Sequence, residues 1–324
     1  MANGFESYDE IRQWKEERIS QFHSNTLTLN AFHDSIMKEV FQLAVIRLNK
    51  GEPPCRYCWF ITGSGGRFEQ GTISDQDHGL VFEQDNKEYE KYFLALGKEL
   101  ADGLDMVGYP YCNGNVMSSN PMWCKALEEW KAQLFTWMED GNLESIRNLQ
   151  IFYDARCIAG NRKFVDTLRS SIFAYQKHHP QLLKRFMESV MHIKKAINPL
   201  GALLVIDSGK HKGAIDLKYS AYIPYVNAIR LLSIKEKVSV TSTLERIDAL
   251  MHIKLNDCDW PIIRNHFMIL LNLRLSLSKA ASYEETHYLS MQNLTKQEKK
   301  EFKRILKDGR KLHLNVCRLI EKGG

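Results

Sequence analysis

Trp59-Phe60-Ile61-Thr62-Gly63-Ser64-Gly65-Gly66-Arg67-Phe68-Glu69-Gln70-Gly71-Thr72-Ile73-Ser74-Asp75-Gln76-Asp77-His78-Gly79-Leu80-Val81-Phe82 is the stretch that decides how the chain reads. An apolar run breaks into a glycine-rich turn, and a second apolar run follows, led by two aspartates. Glycine carries no Cβ, so its backbone N–H groups can approach a phosphate closely. Asp75 and Asp77 are two residues apart, and on a strand that spacing points both carboxylates to one face. Two carboxylates beside such a turn can hold a divalent metal and a nucleoside triphosphate together.

Other glycine-turn readings fail on spacing. A P-loop needs Lys-Ser or Lys-Thr after the turn, and none follows. A dinucleotide fingerprint needs G-x-G-x-x-G opening a helix, and Gly63-Ser64-Gly65-Gly66-Arg67-Phe68 does not fit it. What remains is a nucleotidyltransferase pattern: a Gly-Ser turn, D-x-D on the next strand and a distant third acid. The bland alternative is a surface hairpin with wet aspartates. Asp154, in Leu149–Ile158 read as a third strand, is the candidate third acid. A charge inside an apolar strand is costly unless paired or metal-bound, and Arg156 is the competing partner.

The whole chain sets the frame. Its 324 residues are 44% hydrophobic and 26% charged, a globular composition with room for one large domain or two ordinary ones. No apolar run reaches the roughly 18 residues of a membrane span. The start, Met1-Ala2-Asn3-Gly4-Phe5-Glu6, lacks the features of a secretory signal, so the expected compartment is the cytoplasm. Seven scattered cysteines fit a reducing compartment. Cys55 and Cys58 form a lone C-x-x-C without a second ligand pair, which reads as a loop entering a strand rather than as zinc or redox chemistry. The net charge of +5 is mild and suits a polyanionic nucleotide substrate. The basic run Lys296–Lys311 reads as the wet face of a helix rather than a nucleic-acid stripe, and no DNA partner is expected.

Periodicity predicts helices over 6–49, 87–107, 122–138, 143–149, 162–178 and 180–197, then a chiefly helical remainder with capping boxes at Ser242–Glu245 and Thr295–Glu298. Trp123, Trp130 and Trp137, seven apart, read as a packed core or seam ahead of a base-stacking site. His78 is expected to pack or hydrogen-bond beside the site rather than ligate metal. The expected organisation is a helical leader at 1–30, a catalytic domain at 31–165 and a helical domain at 175–324, the last two sharing a cleft.

Gly63–Gln70 with Ser74–Gly79 resembles the signal-transduction nucleotidyltransferases, bacterial relatives of the PII uridylyltransferase and the glutamine synthetase adenylyltransferase. Gly108-Tyr109-Pro110, Asn120-Pro121-Met122-Trp123, Phe152-Tyr153-Asp154-Ala155-Arg156 and Ile215-Asp216-Leu217-Lys218 are similar to later landmarks of that family. The resemblance implies an α+β, polymerase-beta-like nucleotidyltransferase domain with a small mixed sheet, plus a C-terminal all-helical domain. It implies a magnesium-dependent transferase of the uridylyltransferase or adenylyltransferase type, acting on UTP or ATP in signal transduction, with a PII-like regulatory protein as acceptor. The HD and ACT domains of the full PII uridylyltransferase are not recognisable here, so de-modification and glutamine sensing are not expected.

The expected site follows. Asp75, Asp77 and Asp154 ligate two Mg²⁺ ions roughly 3.5–4 Å apart, and Asp154 helps deprotonate the acceptor. Gly63 and Ser64 hold phosphates. Arg67 pairs with the triphosphate or, the reading preferred here, braces Glu69 or Asp75. Lys218 meets a phosphate or, preferred, a salt bridge with Asp216. The rival function is a non-catalytic nucleotide-sensing or protein-interaction module on the same fold.

Overall fold

The structure, a computed structural model, describes residues 4–255, 258–277 and 282–322. Met1–Asn3, part of the start read above for a signal, lie outside them. The chain forms two compact units, Met1–Tyr175 and Gln176–Gly324.

The first unit opens with α1 (Tyr8–Arg18) and α2 (Thr26–Leu48). Ser7 caps α1 and Asn25 caps α2, each accepting N–H groups that a helix start leaves unpaired. Asn49, left-handed at φ 49°, ends α2 ahead of Pro53-Pro54. Next come β1 (Tyr57–Ile61), the single turn α3 (Gly63–Gly66), β2 (His78–Phe82) and α4 (Lys87–Met106). Then β3 (Cys124–Ala126), α5 (Leu127–Asp140), α6 (Leu143–Tyr153), β4 (Arg156–Gly160) and α7 (Lys163–His178) follow. The sheet order is β3-β2-β1-β4. β1 pairs antiparallel with β2 and β4, while β3 runs parallel to β2, so the sheet is small and mixed.

β1 and β2 are buried on both faces, which is why they read as continuous apolar runs rather than alternating ones. Trp59 stacks on Phe41 of α2, and the next residue, Phe60, meets Trp130 of α5 and Phe152 of α6. The alternation of a strand thus sends successive side chains into two helical layers. Tyr8 and Ile11 of α1 join Trp59, Ile61 and the apolar face of α4 in one core.

In the first unit two elements differ from the sequence reading. The predicted strand over 149–158 is helical to Tyr153, and β4 starts at Arg156. Ile146, Leu149, Phe152 and Tyr153 share a helical face, and a short apolar run does not separate helix from strand. The predicted helix over 122–138 begins as a 3-10 turn at Pro121–Trp123 and the three-residue β3. A three-residue strand is too short to show periodicity. The tryptophans still converge, with ring centroids 5.8–6.2 Å apart, and all three are buried: they are core.

The second unit is helical apart from a two-stranded ribbon. Its elements are α8 (Gln181–Glu188), β5 (Ala214–Asp216), α9 (Ile223–Lys235), α10 (Thr243–Leu250), α11 (Trp260–Ser276), β6 (Tyr288–Ser290) and α12 (Lys296–Lys322). The helix expected over 180–197 stops at Glu188, and Ile197 bridges Leu203 instead. α12 starts at the expected capping box: Thr295 N–H donates to Glu298, and Glu298 N–H donates to Thr295 Oγ. Its Phe302, Ile305, Val316 and Ile320 are buried. Among the described residues no helix is long and apolar enough to cross a membrane.

Candidate active site

The glycine turn sits at the C-terminal end of β1. Thr62 N–H donates to the Asp77 carbonyl at 2.9 Å, extending the β1–β2 ladder one residue beyond the strands. Asp75 and Asp77 therefore lie just ahead of β2, not inside it, on chain that keeps a strand's alternation: Ser74, Gln76 and His78 are buried and Asp75 and Asp77 partly exposed. Among the described residues, Asp75, Asp77 and Cys112 form a group whose potential ligand atoms lie within 4.8 Å of one another.

The glycines explain how close the carboxylate comes. Gly63 has φ +56°, and a Cβ there would collide with Asp77 Oδ2. A Cβ on Gly66 would collide with the Asp154 carbonyl. The turn is thus packed between an aspartate side chain and another aspartate's backbone. Gly63→Ala is expected to lower unfolding stability by about 1–3 kcal/mol, the usual cost of a strained backbone, and to push Asp77 aside. Urea unfolding measures the first effect; a stability equal to that of the parent chain contradicts this packing.

The structure does not bring Asp154 into the Asp75–Asp77–Cys112 group. It caps the end of α6, is fully buried, and accepts from Arg67 Nη1 at 2.7 Å. Arg67 Nε also donates to Glu69 at 2.6 Å. Arg67 thus braces Glu69, as preferred above, but with Asp154 rather than Asp75 as its second acid. Arg156, the rival partner of Asp154, forks onto Asp34 of α2 at 2.7 and 2.6 Å and donates to the Gly65 carbonyl at 2.9 Å. Its guanidinium lies 3.7 Å from the centroid of the Phe68 ring, and Phe68 is held at φ +58°, unusual for a bulky residue. Ser64 Oγ lies 3.4 Å from Ser74 Oγ.

Behind the aspartates runs a buried hydrogen-bond network. His78 Nε2 donates to Gln76 Oε1 at 2.8 Å, and its Nδ1 accepts from Trp59 Nε1 and from the Ser118 backbone N–H. Gln76 in turn donates to the carbonyls of Ala101 and Tyr109. His33 of α2 bridges the Tyr109 hydroxyl at 2.6 Å and the Gly71 carbonyl at 3.0 Å. These contacts fix the segment from Gly71 to His78 to α2 and α4. His78 packs and hydrogen-bonds with both ring nitrogens occupied.

Burial lowers both imidazoles to about 3, with Lys15 adding to the effect at His33. Each ring stays neutral in the folded chain but gains a proton when unfolded near its ordinary value of about 6.5. The unfolded state then binds more protons, so stability falls as pH drops from about 6.5 towards 3, by about 1.4 kcal/mol per pH unit for each ring. Urea unfolding at about pH 7 and about pH 5.5 is expected to show this loss, and a His33→Gln/His78→Gln variant to show a shallower slope. Equal slopes for the two chains contradict it.

The donors present fit a hard divalent cation. Asp75 and Asp77 supply carboxylate oxygens, the ligand type that Mg²⁺ takes. The Cys112 thiol is pushed up to about 12, first by burial and then by the Asp77 charge and a hydrogen bond to it. Without a bound cation it stays a thiol held against Asp77. Nothing in the spacing of Gly108–Asn115 singled out Cys112; only the fold brings it to Asp77.

Lys218 belongs to the second unit. Asp216 pairs with Lys194 at 2.9 Å, not with Lys218 as preferred above, and Lys218 Nζ lies 3.3 Å from His287 Nε2.

A family model described as "Putative nucleotidyltransferase DUF294" matches residues 11–144, and one described as "Putative nucleotidyltransferase substrate binding domain" matches residues 180–318. No curated relative matches the chain. With one model over each unit, and the two together spanning most of its length, the chain belongs to the DUF294 nucleotidyltransferase family.

Proposed function

We propose that this protein is a Mg²⁺-dependent nucleotidyltransferase that moves a nucleoside monophosphate from UTP or ATP to an acceptor hydroxyl, releasing pyrophosphate, with a regulatory protein of the PII type as acceptor. The observation that carries the reading is the placement of Asp77 against Gly63, with Asp75 beside it. The same few residues then offer carboxylates for a cation and a glycine turn for phosphates.

Asp75 and Asp77 would hold the cation. When bound, Mg²⁺ supplies charge neutralisation and a template for in-line displacement at the α-phosphorus. Gly63 and Ser64 present backbone N–H groups of a first helical turn, which have no intrahelical acceptor and favour anions. The Ser64 hydroxyl adds a donor. Asp154 acts through Arg67 as a positioning residue: it holds the guanidinium under the turn while its carbonyl packs on Gly66. Arg156 fixes the Gly65 carbonyl, so the N–H groups of the turn keep their direction. This reading uses one cation between Asp75 and Asp77, in place of the two expected with Asp154.

That reduction favours a second reading, a binding module that senses the nucleotide without transferring it. The assay that separates them supplies Mg²⁺, labelled UTP or ATP, and a PII-type regulator. Pyrophosphate release with label on the acceptor supports the transferase. Nucleotide binding without pyrophosphate release, whichever acceptor is supplied, supports the sensor.

A further inference from the structure

Two cations of the basic run near the C-terminus, Lys307 and Arg310, line a pocket. A concave site of about 350 Å³ lies in the second unit, walled by residues 193–199 and by α12. Small-molecule sites usually occupy about 300–1,000 Å³. Lys194, Lys195, Lys307 and Arg310 line it, with Ile197 and Leu306 among its apolar residues, and among the described residues no acidic side chain does. Lys194 is held by Asp216 at 2.9 Å.

Both walls are built in advance. Residues 196–204 form a small hairpin: Asn198 N–H donates to the Ala202 carbonyl at 2.9 Å, Leu204 N–H to the Ala196 carbonyl at 2.8 Å, and Asn198 Oδ1 accepts from Ala202 N–H. α12 is fixed from the other side, where the Tyr225 hydroxyl donates to the Ile305 carbonyl at 2.8 Å and the Tyr225 ring packs on Gly309. Lys307 and Arg310 are one turn apart, and like charges at that spacing repel. Lys195, Lys307 and Arg310 are exposed, and three like charges gathered over one concave surface create a field that favours an anion there. Arg forks onto phosphate oxygens and Lys adds point charge, a combination suited to a dianion.

We propose that this pocket binds a small molecule bearing a phosphate monoester, its body on the apolar residues and its phosphate among Lys195, Lys307 and Arg310. The inference stands apart from the transferase reading, because the site needs neither metal nor Asp75 and Asp77.

The test uses the full chain in EDTA at low salt, with AMP, adenosine and inorganic phosphate as probes in titration calorimetry. AMP is expected to bind saturably and at least about tenfold more tightly than adenosine, a difference of about 1.4 kcal/mol, with inorganic phosphate competing. The Lys307→Glu/Arg310→Glu variant is expected to lose at least about tenfold in AMP affinity. Asp75→Asn/Asp77→Asn is expected to leave it unchanged, as is Lys299→Glu/Lys300→Glu, which alters the same helix outside the pocket. Thermal unfolding checks that each variant folds. The proposal is overturned if neither AMP nor phosphate binds saturably up to about 10 mM, a range that reads Kd values near 1 mM. Equal binding of AMP and adenosine overturns it, as does equal weakening by both lysine-helix variants.

Discussion

An Asp75→Asn/Asp77→Asn variant is expected to fold normally and to lose nucleotide transfer by about 10³-fold or more, since removing one charge-stabilising group from an active site already costs 10²–10³. Asparagine keeps the shape of each side chain and removes the charge a cation needs. Both residues are partly exposed, so their neutralisation spares the core. The Thr62–Asp77 backbone bond and the buried His78–Gln76 pair do not depend on the carboxylates. The measurement is pyrophosphate release at saturating Mg²⁺, with thermal unfolding as the control for folding. Full activity in the double variant contradicts the assignment of these residues.

Arg67→Met is expected to do the reverse: it should act first on stability. The guanidinium is buried and compensates two buried carboxylates, Glu69 at 2.6 Å and Asp154 at 2.7 Å. Removing one partner of a buried pair costs about 3–5 kcal/mol, because a charge is left without compensation. For a unit of this size that is a drop of about 10 °C in Tm. Adding Glu69→Gln and Asp154→Asn to Arg67→Met is expected to recover part of the loss, since the uncompensated charges then disappear. Differential scanning calorimetry decides it. If Arg67→Met melts within about 2 °C of the parent, a shift of less than about 1 kcal/mol, the triad is not a structural brace.

The residues that were legible in the sequence are those whose role is local. The breaks in apolar patterning gave β1, the glycine turn and β2, and the D-x-D spacing survives as alternation even though both aspartates precede the strand. The capping box at Thr295 placed the start of α12. The seven-residue spacing of the tryptophans led to a packed core although Trp123 sits on a 3-10 turn outside α5.

What was not legible depends on long-range pairing. Asp154 looked like a strand residue because Ile151-Phe152-Tyr153 is apolar, and only the fold shows it ending a helix and facing Arg67. Arg156, two residues along, is the competing partner by sequence, yet the β4 edge delivers it to Asp34 on α2. Asp216 chose Lys194 over its close neighbour Lys218. In each case several opposite charges were available, and sequence proximity does not rank them. Cys112 was missed for the same reason: a single thiol in a loop has no pattern, and its relation to Asp77 is purely spatial.

The most direct measurement is a crystal structure of the protein soaked with Mg²⁺ and a non-hydrolysable UTP or ATP analogue. The predicted result is a cation between Asp75 and Asp77, with triphosphate oxygens on it and on the backbone N–H groups of Gly63 and Ser64. A triphosphate seated away from the glycine turn, or one bound there without a cation at the two aspartates, would contradict the account.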